Sequence, residues 1–318
     1  MRLVRRAWFC IAAALLALPS FAAAAPGQAA IASAHPLATQ AGFEILARGG
    51  NAFDAAVAVS AALAVVEPNG SGLGGGGFYL LHRASDGKQV FVDAREVAPA
   101  AATRDMYLDA AGNPVEGLST RSAKAAGIPG EPAGWDQLAR NYGRLPLAAS
   151  LEPAIRLARK GHAISAARQA ELAEALDSEG LLGQAQSEFA RIYLVAGKVP
   201  SVGHWMRQPE LAKSLEVLAK GGAEAFYRGP FARKLVQGVQ RLGGLWTEDD
   251  LAGYRVVERE PIVANYQGVR IVSAPPPSSG GVWLASVLSI LAGYDLASLD
   301  ATTRKHLVLE AMRRAHRD

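Results

Sequence analysis

The sequence predicts an α+β fold in which helices pack on an antiparallel sheet. Three observations predict it. Residues 52–66 are apolar on nearly every face of a helix (Ala55, Ala56, Val57, Ala58, Val59, Ala61 through Val65), the pattern of a helix buried inside a layered core. Two short apolar runs, Phe78–Leu81 and Gln89–Asp93, flank the turn signal Ser85-Asp86-Gly87 and read as a hairpin. Most of the following chain carries helical periodicity, and a helix followed by a hairpin puts helices on an antiparallel sheet.

The elements follow in order. Leu37 to Arg48 reads as a helix ended by Gly49-Gly50. Asn51 caps the apolar helix Ala52–Val66, whose alanines allow close approach to a sheet. Gly74 to Gly77 leads into the hairpin. Leu151–Lys160 and Ala163–Glu179 are amphipathic helices with Gly161 between them. Pro209–Lys220 ends at Gly221-Gly222, and Phe231–Leu242 ends at Gly243-Gly244. Thr247-Glu248-Asp249-Asp250 reads as a capping box for a short helix. Strands are expected at Arg255–Ala264 and Val269–Ser273. Ser278 or Ser279 caps a helix from Gly281 to Leu291, and an amphipathic helix runs from Thr302 to His316. No linker, low-complexity tract or internal repeat interrupts the chain, so residues 26–318 read as one domain. The absence of a closing element after His316 suggests that this domain is incomplete at its C-terminus.

Residues 1–25 read as a signal peptide. Arg2, Arg5 and Arg6 precede an apolar stretch from Ala7 to Leu18, and Phe21-Ala22-Ala23-Ala24-Ala25 offers small-residue cleavage sites. The stretch is short for a membrane span, so no membrane association beyond the signal is expected, and the compartment is periplasmic or secreted. Removing it lowers the formal charge from +4 to +1, because three arginines and no acids leave. The basic balance therefore belongs mostly to the signal, and a nucleic-acid partner loses its support. Cys10, the single cysteine, leaves as well, so the remaining chain has neither a disulfide nor a thiol nucleophile.

Several motifs invite chemistry. Gly70, Gly72 and Gly75 match G-x-G-x-x-G, but a dinucleotide site needs a strand before that motif and a helix after it, and here the order is reversed. The glycines read instead as a sharp, closely packed turn. The six histidines (His35, His82, His162, His204, His306, His316) include no pair at metal-ligand spacing, so neither metal nor cofactor is expected. No G-x-S-x-G elbow occurs. Asp54 sits in a first helical turn and reads as a helix N-terminal contact. Arg104 and Asp105 read as a solvated pair or loop clasp, and Pro275–Gly281 as a stiff strand-to-helix corner that also has the makings of a pocket wall. Arg95 ends an alternating strand. Its guanidinium has the shape to hold a carboxylate in a fork, while from spacing alone an ion pair with Asp93 or Glu96 is the better reading.

Taken in sequence, Asn51–Ala58, Leu73-Gly74-Gly75-Gly76-Gly77-Phe78, Arg95-Glu96-Val97-Ala98-Pro99, the 101–106 segment with Thr103-Arg104-Asp105-Met106, and Pro275-Pro276-Pro277-Ser278-Ser279-Gly280-Gly281 resemble the large-subunit region of the γ-glutamyltransferases. Ile128-Pro129-Gly130, Phe226-Tyr227-Arg228-Gly229, Gly243-Gly244-Leu245 and Leu251-Ala252-Gly253-Tyr254 extend the likeness, which runs from about Ala32 to the end of the chain. The resemblance implies an N-terminal-nucleophile hydrolase with an αββα sandwich, made as one precursor that cleaves itself into a large and a small subunit. It implies a threonine at the head of the small subunit as nucleophile, its own amine as base, and backbone N–H groups for the oxyanion. It implies γ-glutamyl amides such as glutathione as donors, with transfer to water or to an amino acid or peptide. It reverses the reading of Arg95, whose counterpart in the family binds the α-carboxylate of the glutamyl substrate, and it makes the Gly-rich turn the sheet edge beside the substrate pocket. Thr302 and Thr303 do not match the nucleophile, which is expected beyond Asp318, so no catalytic residue is expected among these 318 and the chain alone is expected to be inactive.

Within the same resemblance a cephalosporin-acylase-like specificity is the nearest alternative. A non-catalytic truncated paralogue that binds a ligand or a partner subunit is a second, and a solute-binding protein with two parallel-sheet lobes a third. The hairpin and the helix-rich middle argue against the last.

Overall fold

The computed structural model describes residues 29–177 and 187–317. The signal peptide assigned to residues 1–25, and residues 178–179 of the helix expected to end at Glu179, lie outside the described residues. The helices and strands are α1 (Pro36–Ala47), α2 (Ala52–Val66), β1 (Gly77–Arg83), β2 (Lys88–Ala94), α3 (Glu131–Asn141), α4 (Leu147–Lys160), β3 (His162–Ala163), α5 (Ala166–Asp177), α6 (Glu188–Tyr193), β4 (Trp205–Met206), α7 (Pro209–Tyr227), α8 (Gly229–Arg241), α9 (Glu248–Gly253), β5 (Val257–Arg259), β6 (Ile262–Tyr266), β7 (Val269–Ser273), α10 (Gly280–Leu291) and α11 (Ala301–Arg317). Among the described residues every strand pairing is antiparallel, which bears out the expected α+β class and argues against the two-lobed parallel alternative.

Asn51 starts α2 with a full capping box: its Oδ1 accepts from the N–H groups of Phe53 and Asp54, and Asp54 returns a bond to the Asn51 N–H at 2.8 Å. Asp54 does more than complement the helix end. It is fully buried and also accepts from the N–H groups of Arg144 (2.9 Å) and Leu145 (3.3 Å), tying the start of α2 to the loop before α4. The alanines of α2 permit close helix–helix approach: its main neighbours are α1 and α4, and Val57, Ala61 and Val65 share the main core with Leu81, Val90 and Val92 of the sheet.

The first sheet runs β1-β2-β5, with Phe78 opposite Asp93, Leu80 opposite Phe91, and Asp93 opposite Val257. β2 is central and buried from Val90 onward. The expected strand Arg255–Ala264 divides in two. β5 completes the first sheet, and β6 leaves it to pair with β7 through the two-residue turn Gln267-Gly268. Pro261 lies at the break and has no N–H for a ladder. Gln267 and Gly268 both have positive φ (47° and 79°), the turn geometry that matches the twist of a tight hairpin.

Two helices were not foreseen from periodicity: the short α6, and α3, which begins Glu131-Pro132. The signal was present as proline in the first turn with an acid beside it. Helix α7 continues past Lys220 to Tyr227, interrupted only at Gly222, whose φ of 63° breaks the helical run. Helix α10 starts at Gly280 without the expected serine bond at its cap. Ser279 has helical backbone angles, and Ser278 Oγ accepts only weakly from the Gly280 N–H at 3.4 Å.

The main core joins α2, α3, α4, α7 and the inner face of the first sheet around Trp135, Leu138, Leu151, Leu215 and Leu218. A smaller cluster, Val287, Leu291 and Ala311, is formed by α10 and α11 against the β6–β7 hairpin. No helix among the described residues is long and apolar enough to cross a membrane.

Candidate functional site

Four segments far apart in sequence meet at the end of β2. Arg95 follows directly on β2. The glycine loop 74–77 lies against it so closely that a Cβ on Gly76 would come within 2.9 Å of the Arg95 Cα. On the other flank, Val97 and Ile128 exchange backbone hydrogen bonds (2.7 and 3.3 Å), which lays Ile128-Pro129-Gly130 beside the Arg95 strand. The Gly130 and Glu131 N–H groups at the start of α3 both donate to the Gly75 carbonyl, at 2.9 and 3.0 Å. Tyr254 donates to the Arg95 carbonyl at 2.9 Å, and Tyr227 donates to the Pro129 carbonyl at 2.7 Å. The two tyrosine rings stack at 5.4 Å and 8°. Burial pushes both phenols well above the ordinary tyrosine range, reinforced by Tyr254 at Tyr227 and by the Asp93, Glu96 and Glu131 carboxylates at Tyr254. Both therefore remain protonated donors.

Gly130 is required by space. A Cβ there would overlap the Ala94 carbonyl oxygen and the Tyr254 hydroxyl. The glycines of this region thus serve close backbone approach, and the helix–loop–strand order around Gly70, Gly72 and Gly75 is opposite to that of a dinucleotide site.

The ion pair considered for Arg95 is not made. Asp93 is engaged by Arg259, with Nε and Nη2 at 2.9 and 2.8 Å, and receives only the backbone N–H of Arg95, at 3.1 Å. The Arg95 side chain is exposed, and its Nη1 donates to the carbonyl of Pro277 at 3.4 Å. That contact draws the Pro275–Gly281 turn, which contains the cis peptide Pro276-Pro277, onto the same cluster. Cavities border the cluster on the sides of its neighbours. One of about 400 Å³ runs along Gly72, Leu73 and Gly74 to Tyr193, Arg207 and Glu210, and one of about 420 Å³ along Tyr227, Tyr254, Arg228 and Arg255. The 275–281 turn lines neither of them.

The other flagged residues stand apart. Arg104 and Asp105 form a solvated pair at 3.5 Å. Thr302 and Thr303 lie in the first turn of α11, where both N–H groups donate to Asp300 and the Thr303 hydroxyl donates to its second oxygen at 2.6 Å. Asp300 caps the helix, and the two threonines are the residues it caps. Among the described residues no group of three His, Cys, Asp or Glu side chains is arranged to hold a metal ion.

Sequence reasoning missed the polar core beneath the glycine loop. Glu131, buried at 6% exposure, accepts at a single oxygen, Oε1, from the hydroxyls of Ser60 (2.5 Å) and Tyr79 (2.6 Å) and from the Trp135 indole (2.8 Å). Its other oxygen, Oε2, has no partner and faces Gly77. Desolvation, reinforced by Glu131, pushes the Tyr79 hydroxyl well above its ordinary value, so it stays a donor. These residues come from α2, β1 and α3, and nothing in their spacing announces that they meet.

Comparison with known proteins agrees with this arrangement. The family model described as gamma-glutamyltranspeptidase matches residues 38–318. The chain is 44% identical over 269 residues to the glutathione hydrolase proenzyme of Escherichia coli (strain K12), covering 85% of this chain and 46% of that protein. It is 39% identical over 293 residues to the acylase ACY 1 proenzyme of Pseudomonas sp. (strain SE83), covering 89% of this chain and 51% of that protein. The chain thus spans about half the length of the curated relatives it matches. Among solved structures, Helicobacter pylori gamma-glutamyltranspeptidase superposes with a TM-score of 0.85 at 40% identity, covering 90% of this chain and 81% of that one. The sequence motifs, the antiparallel α+β architecture and these matches agree: the chain belongs to the γ-glutamyltranspeptidase family and has its N-terminal-nucleophile hydrolase fold.

Proposed function

We propose that this chain is the large-subunit part of a γ-glutamyltransferase that cleaves γ-glutamyl amides such as glutathione, and that Arg95 holds the α-carboxylate of the donor. The observation that carries the reading is the state of Arg95: an exposed guanidinium, passed over by Asp93, with its backbone held on three sides. A planar fork of donors in such a place suits bidentate binding of a carboxylate.

In this reading a threonine at the head of a small subunit from the same precursor supplies the chemistry. Its oxygen bonds to the γ-carbonyl carbon, the amide C–N bond breaks, and the threonine proton reaches the departing amine by way of the threonine's own amino group. Water or an amine acceptor then takes the glutamyl group. Arg95 fixes the far end of the donor so that the carbonyl meets the nucleophile in one register, which is an orientation effect. The proenzyme names of the relatives support a two-part precursor. The signal-like residues 1–25 support a periplasmic or secreted location. The acylase relatives at 39% identity support a second specificity, glutaryl rather than γ-glutamyl amides, on the same framework.

The test is steady-state hydrolysis of a γ-glutamyl anilide and a glutaryl anilide by this chain alone and by the full precursor, each as wild type, Arg95→Lys and Arg95→Gln. The reading expects no turnover by this chain alone. In the processed precursor it expects a KM raised by roughly tenfold or more in both variants, with a smaller change in kcat, because lysine keeps the charge but loses the fork. Turnover by this chain alone, or an unchanged KM in Arg95→Gln, would overturn it.

A further inference from the structure

Glu131 makes contacts that a merely structural core carboxylate does not need. Its backbone N–H and that of Gly130 hold the Gly75 carbonyl. Its side-chain Oε2 lies so close to Gly77 that a Cβ there would collide with it. Between these two points sits Gly76, packed against the Ala94 carbonyl, the Arg95 Cα and the Glu96 N–H. One residue therefore grips the glycine loop on both sides of the position that bears on Arg95. Its carboxyl group is in turn held by Ser60 of α2, Tyr79 of β1 and Trp135 of α3, all on the same oxygen. A buried oxygen with no hydrogen-bond partner is costly, yet Oε2 is left in that state directly under the loop.

We propose that Glu131 is a positioning residue for Arg95: by clamping Gly75 and Gly77 it sets the height of the glycine loop and thereby the placement of the arginine at the end of β2. The proposal rests on the reading of Arg95 as the carboxylate-binding group. Glu131 touches no substrate in this scheme. Three donors from three elements lock its rotamer, so the loop is referenced to the rigid core rather than to a surface segment. The glycines are needed because the clamp leaves no room for a side chain between it and the strand.

The test uses the full precursor, assayed with a γ-glutamyl anilide, with thermal melting recorded for each variant. Glu131→Ala keeps the main-chain bond to Gly75 but removes the side-chain half of the clamp, at Gly77 and at the three donors, and is expected to raise KM on the order of tenfold, the scale of a modest misplacement of a binding group, with kcat changed much less. Glu131→Gln retains an oxygen for the same three donors and is expected to restore KM to within about threefold of wild type. If Glu131→Ala lowers the melting temperature while KM stays at the wild-type value, the residue is only structural and the proposal fails. Should Glu131→Ala yield no folded protein, Gly77→Ala decides. It leaves the Ser60–Tyr79–Trp135 donors intact but drives a methyl group against Oε2, and an unchanged KM there overturns the proposal as well. Arg95→Gln in the same series separates the two readings. If it raises KM and neither Glu131→Ala nor Gly77→Ala does, the clamp alone is wrong; if it leaves KM unchanged, the carboxylate role of Arg95 is wrong and the clamp has nothing to position.

Discussion

Tyr254 donates its hydroxyl hydrogen bond to the main-chain carbonyl of Arg95, at 2.9 Å, across 159 residues of sequence. The phenol is 7% exposed and stacked on Tyr227, which itself holds the Pro129 carbonyl. Two buried aromatic residues thus hold the backbone on both sides of the site by carbonyls that the sheet ladder does not use.

Tyr254→Phe tests that relationship with the stacking kept. The Arg95 carbonyl loses its donor, and the expected loss is about 0.5–1.5 kcal/mol of stability. A rise of a few-fold in KM for a γ-glutamyl anilide should accompany it in the full precursor, since the carbonyl belongs to the arginine that positions the donor. A phenylalanine variant that melts and binds like the wild type would show the bond to be idle.

Gly130→Ala is expected to be far more damaging than its size suggests. The added methyl group would overlap both the Ala94 carbonyl oxygen and the Tyr254 hydroxyl, and both are held by the surrounding structure. Overpacking of this kind costs about 1–3 kcal/mol. Thermal melting of Gly130→Ala beside Gly253→Ala, a position with open space around it, checks the prediction. Equal melting temperatures would contradict it.

Asp54→Ala should be among the most destabilising single changes in the chain. It strips one acceptor group from three backbone N–H donors, those of Asn51, Arg144 and Leu145, at a fully buried position. With each orphaned buried donor costing about 1–3 kcal/mol, a total loss of roughly 3 kcal/mol or more is expected by chemical denaturation. Asp54→Asn keeps an oxygen acceptor and should recover part of it. A loss under about 1 kcal/mol for the alanine variant would mean that water replaces the carboxylate.

Stability should also fall on mild acidification. His162 is 4% exposed, and burial holds its pKa below the ordinary 6.5, with His35 and Arg168 nearby adding to the depression and the Ala163 and Val65 carbonyls opposing it. The unfolded chain therefore takes up the proton first. The stabilisation is complete above about pH 6.5 and is lost as pH falls below that value toward the folded-state pKa. His35 shifts in the same direction through burial, with Glu67 working against it. Melting temperature against pH for wild type and His162→Gln gives the answer: the variant should show a flatter profile below pH 6.5, and identical slopes would contradict the assignment.

Much of the chain was legible from local pattern. Alternation about Asp86-Gly87 identified the hairpin, Asn51 identified the start of α2, and Thr247 with Asp250 identified α9, because turn and cap chemistry are set by neighbours in sequence. Helix α3 escaped because Glu131-Pro132-Ala133-Gly134 opens it with residues that read equally as a turn. The undivided strand Arg255–Ala264 was wrong for a related reason: both halves are extended, and only their partners, β2 for one and β7 for the other, distinguish them.

The sequence by itself determined the family, through motifs in a fixed order, and the α+β class, through hydrophobic period and turn residues; it also singled out Arg95. Only the tertiary structure decided what Arg95 is free to do. Asp93 stands two residues away and was a natural partner on spacing, but Arg259, brought over by β5, takes it instead. The same holds for Glu131, whose three donors come from residues 60, 79 and 135. Side-chain partnership at a site depends on distance in space, and when the chain crosses the same place from several elements, separation in sequence no longer measures it.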